Sequence, residues 1–350
     1  MKISISAHYS HGSIAEQADE LRALEKAGAD CIWVAESYSF DSISALGYLA
    51  AVTEKVTLAS GIVNIYSRTP ALLAMTAAGL DAVSKGRFML GLGASGPQVV
   101  EGFHGVPYDA PLTRMREVMD ICRAVWRRED KLTHQGEKYR LPLPASQGTG
   151  LGKPLKIINR PVREAVPIAL ATLGAKSVAM TAEKAEAWLP AFFNPQRAYK
   201  VWGNALKEGM RKRAPELPPL QVFAGGAVGI GEGLEAHRNL ARPRTALYVG
   251  GMGAKDKNFY NQIFRQYGYE KEAQAIQELY LAGRKSEAEA QVPQRFLDET
   301  SLIGPEGYVR DQIQAYREAG VTCLSASFIG TTTAQRVRQC DELRNLLEKI

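Results

Sequence analysis

The segment RFMLGLGASGPQVVEGF, residues 87–103, decides between two folds. It carries the pattern G-x-G-x-x-G, spelled by Gly91, Gly93 and Gly96, directly after an apolar run that is typical of a strand. A dinucleotide-binding fingerprint needs a helix to begin inside the motif, because the pyrophosphate rests on the N-terminus of that helix. Prolines and further glycines follow here instead, and they predict no helix start before about Thr113. The motif therefore does not fit the Rossmann pattern.

The chain around this motif repeats one unit of strand and helix. A β-branched run at 3–7 is followed by Ser13 and then by apolar residues at helical spacing up to Gly28. Further strand patterns begin near residues 31, 57 and 88, and Pro70 suits the first position of the third helix. This spacing is the length of a βα unit and predicts a parallel sheet.

The second half of the chain contains four more buried strand patterns. They are VPIALAT (166–172), EAWLPAF (186–192), LQVFAGGAV (220–228) and CLSASF (323–328). Eight strands that alternate with helices indicate a (β/α)8 TIM barrel. Such a barrel needs about 250 residues, so we place the surplus of this 350-residue chain in insertions after strand four (about 130–165) and after strand seven (about 240–305). The predicted organisation is one domain over 1–350.

Composition and charge favour a small-molecule protein of the cytoplasm. The chain is 45% hydrophobic and 23% charged, as in ordinary globular proteins. It contains no run of about 20 uncharged residues that would span a bilayer, and its N-terminus lacks the apolar core of a secretory signal. A formal charge of +6 is modest, and RKR at 211–213 is interpreted as a solvated helix end. We therefore expect neither a nucleic-acid nor a membrane partner.

The cysteines and histidines give no pattern for a disulfide or a metal site. Cys31, Cys122, Cys323 and Cys340 lie in apolar strand or helix patterns without a CxxC pair, which is typical of small core residues. The five histidines lack HExxH or comparable spacing. We predict that no metal is bound.

The end of the third strand combines a glycine with polar side chains. In ASGIVNIYSRTP (59–70), Gly61 interrupts a strand pattern, which marks a bulge or a close approach of backbone. Asn64, Tyr66 and Arg68 follow it. In a parallel barrel the active site forms at this end of the strands, so residues 91–97 are predicted to approach a ligand, with a plain glycine-rich turn as the alternative.

The end of the fifth strand offers an anion site. ATLGAKSVAM (171–180) places Gly174, Lys176 and Ser177 where a helix begins. A helix start supplies free N–H groups and a positive dipole end, and the lysine adds a cation; ordinary helix capping is the alternative. Together the three loops outline a pocket with a glycine-lined floor and a wall for a phosphate, which would fit a flat phosphorylated cofactor.

Four segments in a fixed order carry a family resemblance. They are GIVNIYSRTP, GRFMLGLGASGPQVVEGFHG, LGAKSVAMTAE with Trp188 after it, and LYVGGMGA followed by NF. Together they resemble the luciferase-like flavin and deazaflavin oxidoreductases, particularly the coenzyme F420-dependent branch, over essentially the whole chain. The resemblance implies a (β/α)8 barrel that binds F420, with FMN as the alternative, at the carboxyl ends of the strands. It also implies a homodimer or larger homo-oligomer.

The resemblance further implies which residues hold the cofactor. In deazaflavin members a bulge in the third strand, with a non-prolyl cis peptide, backs the ring system, and the matching bond here is Gly61–Ile62. The cofactor's chain would border the loop after strand four and its phosphate the loop after strand five. The implied cofactor-binding residues are Gly61, Ile62, Val63 and Asn64, then Gly93, Ala94, Ser95 and Gly96, then Gly174, Ala175, Lys176 and Ser177.

A deazaflavin carries hydride at C5, so the protein has to align a substrate over the ring and manage one proton. Candidate proton handlers are His8 at the end of strand one and Glu36 at the end of strand two. The alternatives are a solvated loop histidine and a hydrogen-bonding carboxylate at the barrel end. Asn64 is a candidate to bind a ring carbonyl or the substrate, with a turn-forming asparagine as its alternative.

Two departures from the family pattern bear on the substrate. Some deazaflavin members carry a histidine after the second strand and an acidic residue after the fourth, where this chain has Glu36 and Ser95. This argues against sugar-phosphate and secondary-alcohol chemistry and leaves an imine, enone, carbonyl or pterin-type substrate. An FMN-dependent monooxygenase of the same family is one alternative function. A non-catalytic, cofactor-free barrel is another, although glycines at three cofactor-facing loops argue against it.

Overall fold

A closed parallel barrel forms the centre of the molecule. The computed structural model describes residues 1–7, 12–253 and 257–350. Each barrel strand pairs in parallel with the next, and the eighth returns to the first through Lys2 opposite Cys323. The barrel strands are β1 (Lys2–Ala7), β2 (Cys31–Val34), β3 (Thr57–Ser60), β4 (Phe88–Gly93), β5 (Ile168–Leu170), β6 (Ala187–Trp188), β7 (Gln221–Ala224) and β8 (Cys323–Ser325).

The outer layer of the barrel consists of helices, one after each strand. They are α1 (Ile14–Lys26), α2 (Ser42–Val52), α3 (Pro70–Val83), α4 (Pro111–Arg127), α5 (Ala175–Lys184), α6 (Ala198–Lys212), α7 (Glu306–Glu318) and α8 (Thr333–Lys349). Local chemistry fixes several starts: Ser13 caps α1 in a capping box with Glu16, and Pro70 takes the first turn of α3 as predicted. The predicted (β/α)8 barrel is confirmed.

Shorter elements extend or connect this frame. Further short strands are Val63–Asn64, His134–Gln135, Arg140–Leu141, Ala227–Ile230, Leu302–Gly304 and Ser327–Phe328. Further helices are Pro97–Val100, Arg242–Ala246, Phe259–Gln266, Glu270–Leu281, Lys285–Ala290 and Gln294–Thr300, with 3-10 turns at Ala145–Gln147 and Glu235–Ala241 and a π-helix at Leu247–Gly251. None of the helices in the described part of the chain is both long and apolar enough to cross a membrane.

The inside of the barrel is filled with side chains. Trp33 of β2 meets Phe223 of β7 edge to face, with ring centroids 5.0 Å apart, and Met89 together with alanines and cysteines of the other strands completes the layer. All four cysteines are free and buried, as the sequence predicts. Burial raises the pKa of the Cys122, Cys323 and Cys340 thiols to about 12, so they stay protonated and inert at neutral pH.

Two long connections depart from the βα repeat. The first, between α4 and β5, begins with a hairpin that is held on α4 by Glu117, whose carboxylate accepts the backbone N–H groups of Glu137, Lys138 and Tyr139. The second, between the strand Ala227–Ile230 and α7, is largely helical. They correspond in position to the insertions predicted at about 130–165 and 240–305; the assignment of 1–350 to one domain stays a prediction.

Candidate functional site

The loops after β3, β4 and β5 lie side by side at one rim of the barrel. Val63 and Asn64 pair with Leu92 and Gly93 of β4, and the N–H of Ala171 donates to the carbonyl of Leu92 at 3.0 Å. Because the three strands are parallel neighbours, their carboxyl ends meet at the same edge. The three loops singled out in the sequence therefore lie next to one another at the same rim.

The third strand carries a bulge at the level of Gly61. It pairs with β4 up to Ala59 opposite Met89, and pairing resumes at Val63 opposite Leu92. Four steps along the chain from Ala59 to Val63 (63 − 59) thus face three along β4 (92 − 89), so this strand holds one extra residue. The Gly61–Ile62 peptide is cis, as the resemblance implies.

The bulge explains two of the three motif glycines. A Cβ on Gly91 would lie 1.7 Å from the carbonyl oxygen of Ser60, and one on Gly93 would lie 2.5 Å from Cδ1 of Ile62. The Ser60 hydroxyl instead donates to the Gly91 carbonyl at 2.9 Å and accepts its N–H at 2.8 Å. A Cβ on Gly96 would meet only the side-chain oxygen of Gln98, at 3.3 Å. Gly91 is thus required by the neighbouring backbone, a Cβ on Gly93 would force the Ile62 side chain to shift, and Gly96 is open.

A short helix follows the glycine motif, contrary to expectation. Residues Pro97–Val100 form one helical turn with Gly96 as its N-cap, and α4 begins at Pro111. The prediction that no helix starts before about Thr113 is therefore wrong, because proline lacks only an N–H that the first turn would leave unpaired. The turn ends after four residues, and the barrel topology excludes the Rossmann fold independently.

Asn64 presents a buried donor that has no partner. The residue is 5% exposed, and its Oδ1 accepts the N–H of Tyr66 at 2.9 Å, which is the turn-forming role weighed for it. Its Nδ2 is buried and forms no hydrogen bond with the described residues. Such a donor normally finds an acceptor, and a carbonyl on a flat ring placed against the bulge would supply one. The residues around Asn64 therefore fit a flavin-type or deazaflavin-type ring.

Glu36 and Arg68 form a close ion pair between the loops after β2 and β3. The two Arg68 nitrogens donate to the two Glu36 oxygens at 2.6 and 2.9 Å, and Ser42 donates to the same carboxylate through its N–H and its hydroxyl. Burial alone would raise the pKa of Glu36, but the hydrogen bonds from Arg68 and Ser42 outweigh it, and the pKa lies below its ordinary value. This geometry favours the hydrogen-bonding alternative, since an ionised carboxylate has no proton to donate.

His8, the other candidate proton handler, lies outside the described residues, directly after the end of β1 at Ala7. Its role stays a prediction.

The loop after β5 forms the predicted helix start. Gly174 is the N-cap of α5 and no side chain caps the helix; the Ser177 hydroxyl donates to the Gly174 carbonyl at 2.8 Å. Lys176 is exposed, and its ammonium makes no hydrogen bond or ion pair within the described chain. The first-turn N–H groups of Ala175, Lys176 and Ser177 can therefore serve an anion.

Two buried tryptophans donate hydrogen bonds to the backbone of the loop after β5. Trp188 donates to the carbonyl of Thr172 at 3.0 Å, and Trp202 donates to that of Leu173 at 2.9 Å. Both tryptophans are fully buried and pack edge to face with centroids 5.3 Å apart. Their position gives a structural reason for Trp188 in the family resemblance.

The second long connection contacts the loop after β5. A Cβ on Gly174 would lie 3.7 Å from the ring of Phe259, so the NF dipeptide of the resemblance meets the fifth-strand loop. Asn258 caps the following helix, and its Nδ2 donates to the carbonyls of Tyr248 and Val249 at 2.9 and 3.1 Å. An asparagine before a helical pattern signals a cap, so this role of Asn258 could have been predicted from the sequence.

A tyrosine cluster that sequence reasoning missed supports the loop after β4. The Tyr108 hydroxyl donates to the carbonyl of Ser95 at 3.4 Å, and the Tyr66 hydroxyl donates to that of Asp109 at 2.8 Å. The two rings lie 5.3 Å apart, with the Arg114 guanidinium 5.3 Å from the Tyr66 ring. Burial raises the pKa of both tyrosines, so they remain neutral donors. Nothing in the local sequence links Tyr66 to Asp109.

Two concavities lie elsewhere on the molecule. A hollow of about 680 Å³ runs along α6 beside Lys207 and Arg211. A cavity of about 140 Å³ opens at the amino-terminal end of the barrel, beside Lys2, Asp30 and Arg87. That end of a TIM barrel serves stability, not catalysis, so the candidate site is argued from the converging strand ends.

The fold is a TIM barrel with a bulge in its third strand and an uncapped helix start after its fifth strand. The chain belongs to the luciferase-like monooxygenase family, whose model matches residues 1–323. The family resemblance stated from the sequence is confirmed.

Individual relatives and solved structures are similar to this chain over most of its length. A Mycobacterium tuberculosis protein named as coenzyme F420-dependent oxidoreductase Rv3520c is 38% identical over 325 residues, 92% of each chain. The 5,10-methylenetetrahydromethanopterin reductase of Archaeoglobus fulgidus is 25% identical over 87% of each chain. Among solved structures, the coenzyme F420-dependent tetrahydromethanopterin reductase from Methanopyrus kandleri aligns with a TM-score of 0.78 at 21% identity, over 97% of each chain, which supports the fold.

Proposed function

We propose that the protein is an F420-dependent oxidoreductase that transfers a hydride between the deazaflavin C5 and a small organic substrate of the imine, enone, carbonyl or pterin type. The observation that carries this proposal is the buried, unpartnered Nδ2 of Asn64. It lies on the same rim as the uncapped start of α5, so one surface offers a donor for a ring and a site for a phosphate. The 38% identical relative named as F420-dependent supports the choice of cofactor.

Three short segments would hold the cofactor. Residues 61–64 would back the ring, 93–96 would border the chain, and 174–177 would bind the phosphate through N–H groups and the Lys176 ammonium. When bound, F420 supplies or accepts a hydride at C5. The open space at Gly96, where a Cβ would meet only Gln98, leaves room for a ligand to approach the backbone.

The other residues of the rim would position groups and handle a proton. Glu36 holds Arg68 through two hydrogen bonds and so fixes the side of the site between β2 and β3. His8 keeps its predicted role as a proton carrier. His104, in the loop after β4, is a further candidate; its ring lies edge-on to Phe103 with centroids 5.3 Å apart.

The test is an equilibrium titration of the purified protein with F420 and with FMN under anaerobic conditions. We expect F420 to bind with micromolar or better affinity and FMN to bind much more weakly. Tight FMN binding with oxygen consumption on reduction would instead establish the monooxygenase function. Failure to bind either cofactor would favour the cofactor-free barrel.

We also propose that the chain forms a homodimer through α2 and α3. These neighbouring helices are apolar on their outer as well as their inner sides, with Tyr48, Leu72, Met75 and Val83 exposed. Their one charged residue, Asp81, is buried and bound by Arg163. A second copy suits this face, because an uncharged surface can meet itself without like-charge repulsion even on a chain of net charge +6. The cytoplasmic location expected from the sequence stays a prediction.

A further inference from the structure

Three aromatic side chains stand exposed at the rim of the candidate site. Tyr38 and Phe40, in the loop after β2, are 68% and 86% exposed, and Phe103, in the loop after β4, is 66% exposed. The rings of Tyr38 and Phe103 approach each other with centroids 6.4 Å apart. These three residues, named here the aromatic rim, join two loops that are separated by the third strand.

The aromatic rim borders the bulge of β3. Tyr38 comes two residues after Glu36, whose carboxylate binds Arg68 from the loop after β3. Phe103 follows the helical turn Pro97–Val100, and its N–H donates to the carbonyl of Val99 at 3.0 Å. The exposed rings thus belong to the two loops that flank the segment proposed to back the cofactor ring.

The charges of these two loops do not favour an anionic partner. Residues 35–41 and 94–110 contain neither lysine nor arginine. Their carboxylates are all engaged: by Arg68, by the start of α2, by the N–H of Tyr108, and by Arg114 with Lys138. A phosphate or carboxylate would find no lysine or arginine in these loops, whose one remaining basic side chain is His104, whereas an apolar ring would find aromatic faces and edges.

We propose that the aromatic rim binds the body of the substrate, and that this body is a neutral aromatic or fused-ring system. The inference rests on the proposed function, because the rim borders the site assigned to F420. A planar apolar substrate would gain both area burial and ring stacking against Tyr38 and Phe103. Exposed apolar side chains grouped beside a site typically mark such a binding surface.

The test measures binding without turnover. The protein is saturated with oxidised F420, which holds no hydride to transfer, and is titrated by equilibrium dialysis with chalcone (a neutral diaryl enone), 4-carboxychalcone and 2-cyclohexen-1-one. We expect chalcone to bind at least about tenfold more tightly than either of the others. With reduced F420, the same preference is expected in KM more than in kcat.

Variants test whether the aromatic rim causes the preference for chalcone. Phe103→Ala and Tyr38→Ala should each raise the Kd of chalcone about tenfold and leave that of cyclohexenone nearly unchanged, whereas Phe103→Tyr should restore binding. Leu281→Ala, at an exposed apolar position on the helix 270–281, is the control and should change neither value. F420 affinity is measured for every variant and should be unaltered.

Three outcomes would overturn the inference. Equal binding of the three compounds to F420-loaded protein would contradict the preference for a neutral ring system. Unchanged chalcone binding in Phe103→Ala would show that the aromatic rim does not bind the substrate. A change of oligomeric state in these variants would identify the rim as a surface between copies. In each case, normal F420 binding would leave the proposed function unaffected. If the wild-type protein did not bind F420, both the proposed function and this inference would be wrong.

Discussion

Arg68 directs two nitrogens at the carboxylate of Glu36, with Nη1–Oε1 and Nη2–Oε2 distances of 2.6 and 2.9 Å. The two side chains are 16% and 9% exposed, and the same carboxylate accepts both the N–H and the hydroxyl of Ser42 at the start of α2. One carboxylate therefore ties the loop after β2 to the loop after β3 and to a helix N-terminus. Such a bidentate pair fixes geometry as well as charge.

Replacement of Glu36 by glutamine should destabilise the protein by about 3 kcal/mol at pH 7, because it leaves Arg68 buried without its counter-charge. The lowered pKa of Glu36 means that its contribution is fully present above its ordinary value of 4.5 and is lost as the pH falls through the folded-state value. Urea unfolding at pH 7 and pH 4 checks this, and the exposed Glu54→Gln is the control. If Glu36→Gln abolished the acidic limb of the activity profile and left stability unchanged, Glu36 would instead be the proton acceptor.

The motif glycines should respond very differently to alanine. In Gly91→Ala the new Cβ would collide with the Ser60 carbonyl at 1.7 Å, and backbone cannot move away cheaply, so we expect a loss of about 3 kcal/mol or failure to fold. In Gly96→Ala the nearest atom lies at 3.3 Å, on a flexible glutamine, and stability should change by less than about 0.5 kcal/mol. Thermal unfolding compares the two. Equal destabilisation would show that the bulge does not dictate the choice of Gly91.

Glu299 should govern the stability of the second long connection. It accepts hydrogen bonds from Arg197, Asn194 and Arg295; although burial opposes ionisation, these bonds lower its pKa to about 2. Glu299→Gln should cost about 3 kcal/mol at neutral pH. Because the folded-state pKa lies below the ordinary 4.5, the difference from wild type should shrink as the pH falls from 4.5 towards 2.

Chemical unfolding at pH 7 and pH 3.5 measures the effect of Glu299→Gln. The exposed Glu306, paired with Arg310, provides the control, and Glu306→Gln should change stability by no more than about 0.5 kcal/mol. A constant difference between Glu299→Gln and wild type across this range would contradict ionisation as its cause.

Met75→Arg should convert a dimer into monomers. Met75 is 55% exposed on α3, and a guanidinium there would be buried without a partner in an interface of two copies. Sedimentation equilibrium gives the mass of each variant. Met210→Arg, at a methionine 47% exposed on α6, is the matched control and should stay dimeric. A monomeric wild type would contradict the proposed interface.

The sequence predicted those features that local physics controls. Apolar runs gave every barrel strand, and Ser13 and Pro70 marked helix starts that the structure shows. The helical turn at Pro97 departs from the sequence prediction, because a proline followed by glycines is compatible with a first helical turn as well as with a loop.

Features that join distant segments could not be predicted. The pair of Glu36 with Arg68 spans 32 residues, and Tyr66 with Asp109 spans 43. Both depend on which loops the closed barrel brings together. Gly91 must be glycine because the Ser60 carbonyl of the neighbouring strand leaves no room for a Cβ, and this is visible only in three dimensions. From the sequence alone, the motif indicates a nearby ligand instead.

Lys176 provides the sharpest test of the phosphate site. It is exposed, unpaired within the described chain, and lies in the first turn of α5, where the helix dipole also favours an anion. Lys176→Ala should therefore leave the free energy of unfolding unchanged within about 0.5 kcal/mol. The same change should weaken F420 binding by about 1 to 3 kcal/mol through loss of a charge-assisted hydrogen bond.

The measurement is an F420 titration at low and at high salt. The loss caused by Lys176→Ala should be larger at low ionic strength, because salt screens an exposed charge pair. Lys176→Arg should retain most of the affinity, and Lys271→Ala, at an exposed lysine of the helix 270–281, is the control that should bind F420 like wild type. If Lys176→Ala bound F420 as tightly as Lys271→Ala does, Lys176 would have no part in the phosphate site.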